Sequence, residues 1–456
     1  MNHPALFKRK FYNKLLAWKK EAQGSRAILV EGARRVGKST ICEEFARREY
    51  QSYLLINFSN TTRKVKNIFW NHLDDLDTFF MLLQSTTNVR LPLRKSLIIF
   101  DEVQKLPRAR EAIKHLVADG RYDYLETGSL ISIRENVKDI VIPSEERHLK
   151  MYPLDFEEFC WALGQEQLAE YIKYCFRNQC PLEPDLHQQA MLVFKQYLLV
   201  GGMPQCVAAF LKGRKDFAAA DKQKRDILTI YRDDIMKIKS RYRGKVLTIF
   251  DKLPGMLGRH EKKINFNKLN SGSTAIQYED TFFWLANSMI TNQCFLTTDP
   301  NVGLGLNKSD SSIKCFLSDT GLLVSHAFDE TELAEKKIYQ QILDDKLGLN
   351  KGMLYENLIA QMLAANGHPL FFYAHYNKEQ HRNDIEVDFL LTSFEKGKAK
   401  VNPLEVKSSK NYTTNSLDLF RRKFKKRIGT SYIIHPRNLC FKDEILCIPP
   451  YMVMCL

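Results

Sequence analysis

The sequence predicts an α/β protein: a P-loop parallel sheet with helices on both faces, then a helical and winged-helix region, then a smaller C-terminal α/β domain. Three observations carry this. Buried-strand runs alternate with helical patterns between residues 27 and 127, the order that builds parallel sheets. A glycine-rich segment, Gly32-Ala33-Arg34-Arg35-Val36-Gly37-Lys38-Ser39, sits between the apolar run Ala27–Val30 and a helical stretch from Thr40 to Tyr50. Beyond residue 350, a helix and three strand runs place acids and lysines at alternating positions.

Met1 to Lys20 mixes Phe7, Leu15, Leu16 and Trp18 with basic residues. It lacks the uninterrupted apolar core of a signal peptide and is expected to form an amphipathic helix beside the first strand. The spacing from Gly32 to Ser39 is G-x-x-x-x-G-K-S, the phosphate-binding loop whose glycines let backbone N–H groups curl around phosphate oxygens. Lys38 is expected to neutralise the β- and γ-phosphates of ATP, and Ser39 to ligate Mg²⁺. Thr40 opens a helix whose positive end faces the phosphates.

Tyr53–Asn57 reads as the second strand, Phe69–Leu83 as a helix, and Ser96–Phe100 as a buried strand ending in Asp101-Glu102. An Asp there suits Mg²⁺ held through water, and the following Glu suits polarising the attacking water; the plainer alternative is a surface pair of acids. Behind a P-loop, the pair favours ATP hydrolysis over binding alone. Arg108–Asp119 reads as a helix and Tyr122–Thr127 as a further strand. Thr127-Gly128-Ser129 ends that strand either as a turn or with Ser129 sensing the γ-phosphate.

The formal charge is +15, and no apolar stretch approaches the roughly 18 residues a membrane span needs. Ten cysteines are scattered without a C-x-x-C pair, and Cys42, Cys206 and Cys315 lie in apolar runs. That usage suits reduced thiols in a cytoplasm, with no zinc site and no membrane partner.

Residues 1–160 are thus expected to form the nucleotide domain and 161–242 a helical connector broken by Gly201-Gly-Met-Pro204. In 243–345, helices over Val246–Leu257, Phe266–Leu269 and Ala275–Ile290 precede strands Cys294–Thr298 and Ile313–Ser318, a winged-helix order. The third helix carries Gln277, Tyr278, Glu279 and Asp280 and few basic residues. A packing or dimerising role therefore stands beside DNA reading.

In 346–456 a helix around Tyr355–Ala365 holds Glu356, the strand Glu386–Leu391 holds Asp388, and Pro403–Lys407 holds Glu405 and Lys407 two apart on one strand face. An Asp followed by E-x-K on the next strand is the arrangement of PD-(D/E)XK nucleases. There the carboxylates bind one or two Mg²⁺ or Mn²⁺ ions and the lysine orients water. Glu356 could add a ligand; the alternative is a cross-strand ion pair. From Lys396 to Arg427, eleven Lys or Arg stand against Glu405 and Asp418, a net of +9. Such a run is either a solvated face or a DNA phosphate-tracking surface.

Taken in order, these motifs resemble the bacterial and archaeal AAA-type ATPases that carry a C-terminal domain of unknown function with a restriction-endonuclease-like fold. The shared segments are G-x-R-R-x-G-K-S at Gly32–Ser39, D-E-x-Q at Asp101–Gln104, T-G-S at Thr127–Ser129 and P-L-x-x-x-E-F at Pro153–Phe159. They continue with Y-L-x-x-G-G-M-P at Tyr197–Pro204, Tyr231-Arg-Asp, Tyr355-Glu-Asn, E-V-D-F at Glu386–Phe389 and Glu405-Val-Lys407. The resemblance implies an ATP hydrolase of the AAA class. One departure is that Arg147 lacks a preceding Gly; it is a candidate for phosphate charge in cis or from a neighbouring subunit, or for a salt bridge to Glu145 or Glu146. The expected function is a Mg²⁺-dependent ATPase coupled to a DNA-associated, nuclease-like domain, with a homo-oligomer compatible. The alternative is a nucleotide-gated switch with a catalytically degenerate C-terminal platform.

Overall fold

The computed structural model describes residues 6–128, 144–238, 240–259, 275–328, 337–344, 351–377, 379, 382–395 and 397–456. It divides the chain into two compact units, Met1–Tyr152 and Pro153–Leu456. Among the described residues no helix is long and apolar enough to cross a membrane.

The first unit runs α1 (Lys10–Ala22), β1 (Ala27–Glu31), α2 (Lys38–Glu49), β2 (Ser52–Asn57), α3 (Arg63–Asn71), α4 (Leu76–Thr87), β3 (Ser96–Asp101), α5 (Pro107–Asp119), β4 (Asp123–Gly128) and β5 (Glu146–Lys150). The five strands form one parallel sheet in the order β2-β3-β4-β1-β5. Strand periodicity feeds a core on each face. Ile98 and Phe100 of β3 join Phe58, Phe69, Phe79 and Tyr124. Leu97 and Ile99 join Trp18, Phe45 and Leu125. The amphipathic N-terminal helix is present, burying Phe11, Leu15 and Trp18 at helical spacing. β1 through β4 end at one edge, with Glu31, Asn57, Asp101 and Gly128 as their last residues. In parallel sheets this carboxyl edge is where ligands bind.

The second unit opens with helices α6 (Phe156–Ala162), α7 (Glu166–Arg177), α8 (Pro184–Val200), α9 (Pro204–Lys212), α10 (Phe217–Met236), α11 (Ser240–Leu257) and α12 (Ala275–Asn287). The hairpin β6 (Thr291–Thr297) and β7 (Lys308–Leu317) follows, then α13 (Thr320–Ala327), α14 (Lys337–Leu343) and α15 (Lys351–Ala365). The chain closes with β8 (Leu370–Asn377), β9 (Arg382–Glu395), β10 (Lys398–Val406), α16 (Asn415–Lys423), β11 (Ser431–Ile434), β12 (Cys440–Lys442) and β13 (Ile445–Ile448). All eight strands form one mixed sheet in the order β12-β13-β11-β10-β9-β8-β6-β7.

That sheet alters the reading of residues 243–345. The hairpin expected as a wing is an edge pair of the C-terminal sheet, with β6 parallel to β8 through Phe295↔Phe371. The physical reason is burial: Cys294 and Phe316 are fully covered, which a free wing would leave in water. Of the three expected helices, Phe266–Leu269 lies outside the described residues.

Several sequence signatures converge on one buried polar hub in this unit. Asp155 and Glu158 form a reciprocal capping box at the start of α6. The Leu154 N–H donates to Gly202 O at 2.7 Å, and the Tyr197 hydroxyl donates to Leu154 O at 2.7 Å. The Gly202 N–H donates to Asp319 Oδ2 at 2.6 Å. From α15, Asn357 exchanges bonds with both backbone groups of Leu317, and Gln361 reaches Tyr197 and Thr320. Gly202 is glycine because a Cβ there would lie 2.1 Å from Leu154 O. Gly202→Ala is therefore expected to destabilise this unit by about 3 kcal/mol or more, through backbone displacement and lost buried hydrogen bonds. Urea denaturation against wild type reads this directly; an unchanged midpoint would contradict the close approach.

Candidate nucleotide site and C-terminal carboxylate cluster

The loop Gly32–Gly37 leaves β1 and enters α2, as the motif requires. A Cβ on Gly32 would meet Met151 O at 2.6 Å, and Gly37 takes φ 98°, so both positions favour glycine. Arg35 is also left-handed, at φ 70°. Ala33 and Val36 are buried, while Arg34 and Arg35 are exposed. Lys38 is buried, its ammonium donating to Gly32 O at 2.8 Å and Ala33 O at 3.1 Å. Burial brings its pKa down to about 8, against the opposing charges of Glu102 and Asp101.

Asp101 is the meeting point of the edge. Its Oδ1 accepts from Ser39 Oγ at 2.6 Å and from the Thr127 hydroxyl. Its Oδ2 accepts from Asn57 Nδ2 at 2.7 Å. Strand register brings these together: Asn57 pairs with Asp101 across β2–β3, and Thr127 pairs with Val30 across β4–β1. Glu102 takes φ 55°, an uncommon left-handed conformation for a side-chain-bearing residue. Its N–H donates to Thr127 Oγ1 at 3.4 Å, and its carboxylate accepts from Gln104 Nε2. Thr40 lies in the first turn of α2. Ser129 lies outside the described residues.

Arg147 lies elsewhere. It pairs across β5–β1 with Ile28, four residues before Gly32, or about 13 Å at strand rise. Its guanidinium meets Glu21 at 3.0 Å with both side chains at least half exposed, rather than the neighbouring Glu145 or Glu146 weighed from sequence. Glu146 instead joins the buried Arg110 at 2.9 Å and His148 at 2.8 Å.

Sequence reasoning gave no role to Asn57 or to Arg9. Arg9 donates to Val36 O at 3.3 Å and to Tyr152 O at 2.6 Å, tethering the loop from the N-terminus. One basic residue among many there offered no signal. Asn57 had one, as the last residue of a strand beside the acid strand.

In the second unit, Asp388 on β9 and Glu405 on β10 come together: Asp388 Oδ2 accepts the Val406 N–H at 2.8 Å, and Glu405 Oε1 meets Lys407 Nζ at 3.1 Å. Burial, then the charge of Asp388, pushes Glu405 up to about 7 against the pull of Lys407. Glu356 is buried on α15. Among the described residues no group of three or more His, Cys, Asp or Glu has metal-holding geometry. A residue not foreseen, Lys314 on β7, places Nζ 3.1 Å from Glu386 Oε1 and 3.8 Å from Asp388 Oδ1.

The first unit is thus a P-loop α/β domain with an acid pair at the edge its loop occupies. Residues 24–160 match the family described as AAA domain (AAA_14), so the chain carries an AAA-type P-loop ATPase domain. Residues 191–333 and 351–451 match two domains of unknown function, DUF8612 and DUF4143. No curated protein matches the chain. Similar solved structures include the Walker-type ATPase PABY2304 of Pyrococcus abyssi, at 15% identity over 70% of this chain and 96% of that one, TM-score 0.39. The Aeropyrum pernix ORC1 protein in complex with DNA follows at 12% identity over 73% and 95%, TM-score 0.28. The STAND protein PH0952 of Pyrococcus horikoshii, with a tetratricopeptide repeat sensor, shows 11% identity over 80% and 49%, TM-score 0.24.

His148 supplies a pH test of this unit. Hydrogen bonds to Glu146 and then to Glu31 raise its pKa from 6.5 to about 9. A raised histidine contributes stability that is complete below pH 6.5 and lost as pH climbs through about 9. Glu126, pushed up by burial and by Glu146, titrates in the same surroundings, so the informative quantity is a difference between variants. The melting temperature is expected to fall more steeply over this window in wild type than in His148→Gln. Parallel curves would contradict the pairing.

Proposed function

We propose that the first unit is a Mg²⁺-dependent ATPase whose nucleotide state governs the second unit, and that the second unit serves as a DNA-binding platform. The observation that carries the ATPase reading is the Ser39–Asp101–Thr127 network, which sets the P-loop helix against the acid strand with Glu102 next in line. On this reading Lys38 exchanges its carbonyl partners for β- and γ-phosphate oxygens. Ser39 and Asp101 are the groups that would hold Mg²⁺, which when bound neutralises phosphate charge. Glu102, fixed by Thr127 and Gln104, accepts the proton of the attacking water. Ser129, two residues past Thr127, is assigned to the γ-phosphate on sequence order. Arg147 is assigned no step at its own phosphates.

Lys38→Ala and Glu102→Gln separate binding from chemistry. Loss of Glu102 as base is expected to slow phosphate release by about 10²–10⁴-fold while ATP binding persists. Loss of Lys38 is expected to weaken both. Equal phosphate release from wild type and both variants would remove the ATPase reading.

The platform reading, in place of a cutting nuclease, is favoured by the Lys314 ammonium beside Asp388. The residue order of the C-terminal domain resembles that of a restriction-endonuclease-like fold, and its basic run includes the exposed Arg422 in the last turn of α16 and the exposed Lys425 and Lys426 beyond it. Reversing those three to Glu is expected to weaken duplex DNA binding and flatten its salt dependence by about 0.9 per lost phosphate contact. Fluorescence anisotropy over a salt series measures this, and an unchanged slope would contradict it.

A further inference from the structure

Lys314 is a charge that the sequence does not announce. It is 1% exposed on β7, an edge strand of the sheet, yet carries an ammonium. Glu386 and Asp388 lie within 3.1 and 3.8 Å of it, and the Phe372 ring centroid is 4.9 Å away. Burial alone would push the ammonium toward neutrality. The carboxylates of Glu386, Glu356 and Asp388 reverse this and hold its pKa above the ordinary lysine value. The cluster needs such a charge. Glu356, Asp388 and Glu405 sit close enough to act on one another or on shared neighbours, and Glu405 Oε2 is buried without a hydrogen-bond partner. Carboxylates close together are costly unless a cation stands among them; Lys407 offsets Glu405 at 3.1 Å, and at Glu386 and Asp388 the offsetting cation is Lys314.

An ammonium and a divalent ion cannot share that position, because both demand the same oxygens and repel each other. A metal would bind at about 2.0–2.1 Å for Mg²⁺. The lysine, tethered by its own strand, is present at high effective concentration and needs no ion from solution.

We propose that Lys314 is the resident cation of the C-terminal carboxylate cluster. Its ammonium fills the place between Glu386 and Asp388 that a divalent ion would require, making this a metal-independent site, and removing the ammonium converts the cluster into a divalent-cation site. The proposal stands apart from the nucleotide reading, and its test uses no nucleotide.

Mn²⁺ uptake is followed by the electron paramagnetic resonance signal of the free ion, on full-length chain carrying Asp101→Asn to silence the first unit. With Lys314 intact, or replaced by Lys314→Arg, uptake is expected to equal that of the same chain with Asp388→Asn. Lys314→Gln and Lys314→Ala are each expected to gain one Mn²⁺ with affinity raised about tenfold or more, and added Asp388→Asn should abolish the gain. Asp388-dependent Mn²⁺ binding with Lys314 intact would overturn the proposal, as would no gain in the neutral variants. Should either neutral variant be unfolded without metal, recovery of its circular dichroism signal on adding Mn²⁺ supports the proposal. Failure to recover counts against it.

Discussion

The nucleotide edge depends on one buried carboxylate and the three donors that face it. Asp101 receives hydrogen bonds from Ser39 on α2, Thr127 on β4 and Asn57 on β2. A buried charge persists only when its oxygens are satisfied, and bonds to charged groups contribute about 1.5–3 kcal/mol each. The same bonds that make Asp101 tolerable fix the helix N-terminus, the acid strand and the neighbouring strand in one register. Glu102 inherits its place from that arrangement, in a left-handed backbone that an unconstrained Glu rarely adopts. Strain of this sort persists where the surroundings over-determine it, and it clusters at functional sites.

A second constraint of the same kind, again a buried carboxyl met by several donors, organises the other unit. Asp319, wholly buried, is pushed up by burial and drawn back by the N–H groups of Gly202, Leu322 and Gly321. Tyr197, Asn357 and Gln361 complete the set. Glycines at 202 and 321 let backbones approach where any side chain would collide, and Gly201 leaves room for the Asp319 carboxylate. The conspicuous G-G-M-P segment and Asn357 are therefore accounted for by buried hydrogen bonds and close approach.

Much of the first unit was legible because its signals are local. Strand runs, the glycine spacing and the terminal acids each lie within a few residues, so the parallel sheet and the placing of Lys38, Ser39 and Asp101 at one edge could be read in order. Asn57 and Arg9 were not legible, since their importance arises from register and from a contact spanning 143 positions, Arg9 to Tyr152. In the second unit the sequence pointed to Asp388, Glu405 and Lys407, and the strands do bring them together. It did not point to Lys314, because nothing in the run Ile313–Ser318 announces that the hairpin joins the distant sheet. Parallel pairing of β6 with β8 bridges about seventy residues of intervening chain, and only that pairing puts the lysine beside the acids. Arg147 illustrates the converse: a plausible arginine by motif order, placed by register on the surface against Glu21.

The central claim is that Asp101 couples Mg²⁺ to the P-loop, and calorimetric titration with a slowly hydrolysed ATP analogue tests it most directly. In wild type, Mg²⁺ is predicted to strengthen binding relative to EDTA. In Asp101→Asn, binding in EDTA should persist while the Mg²⁺ enhancement disappears. An equal enhancement in both proteins would contradict the account.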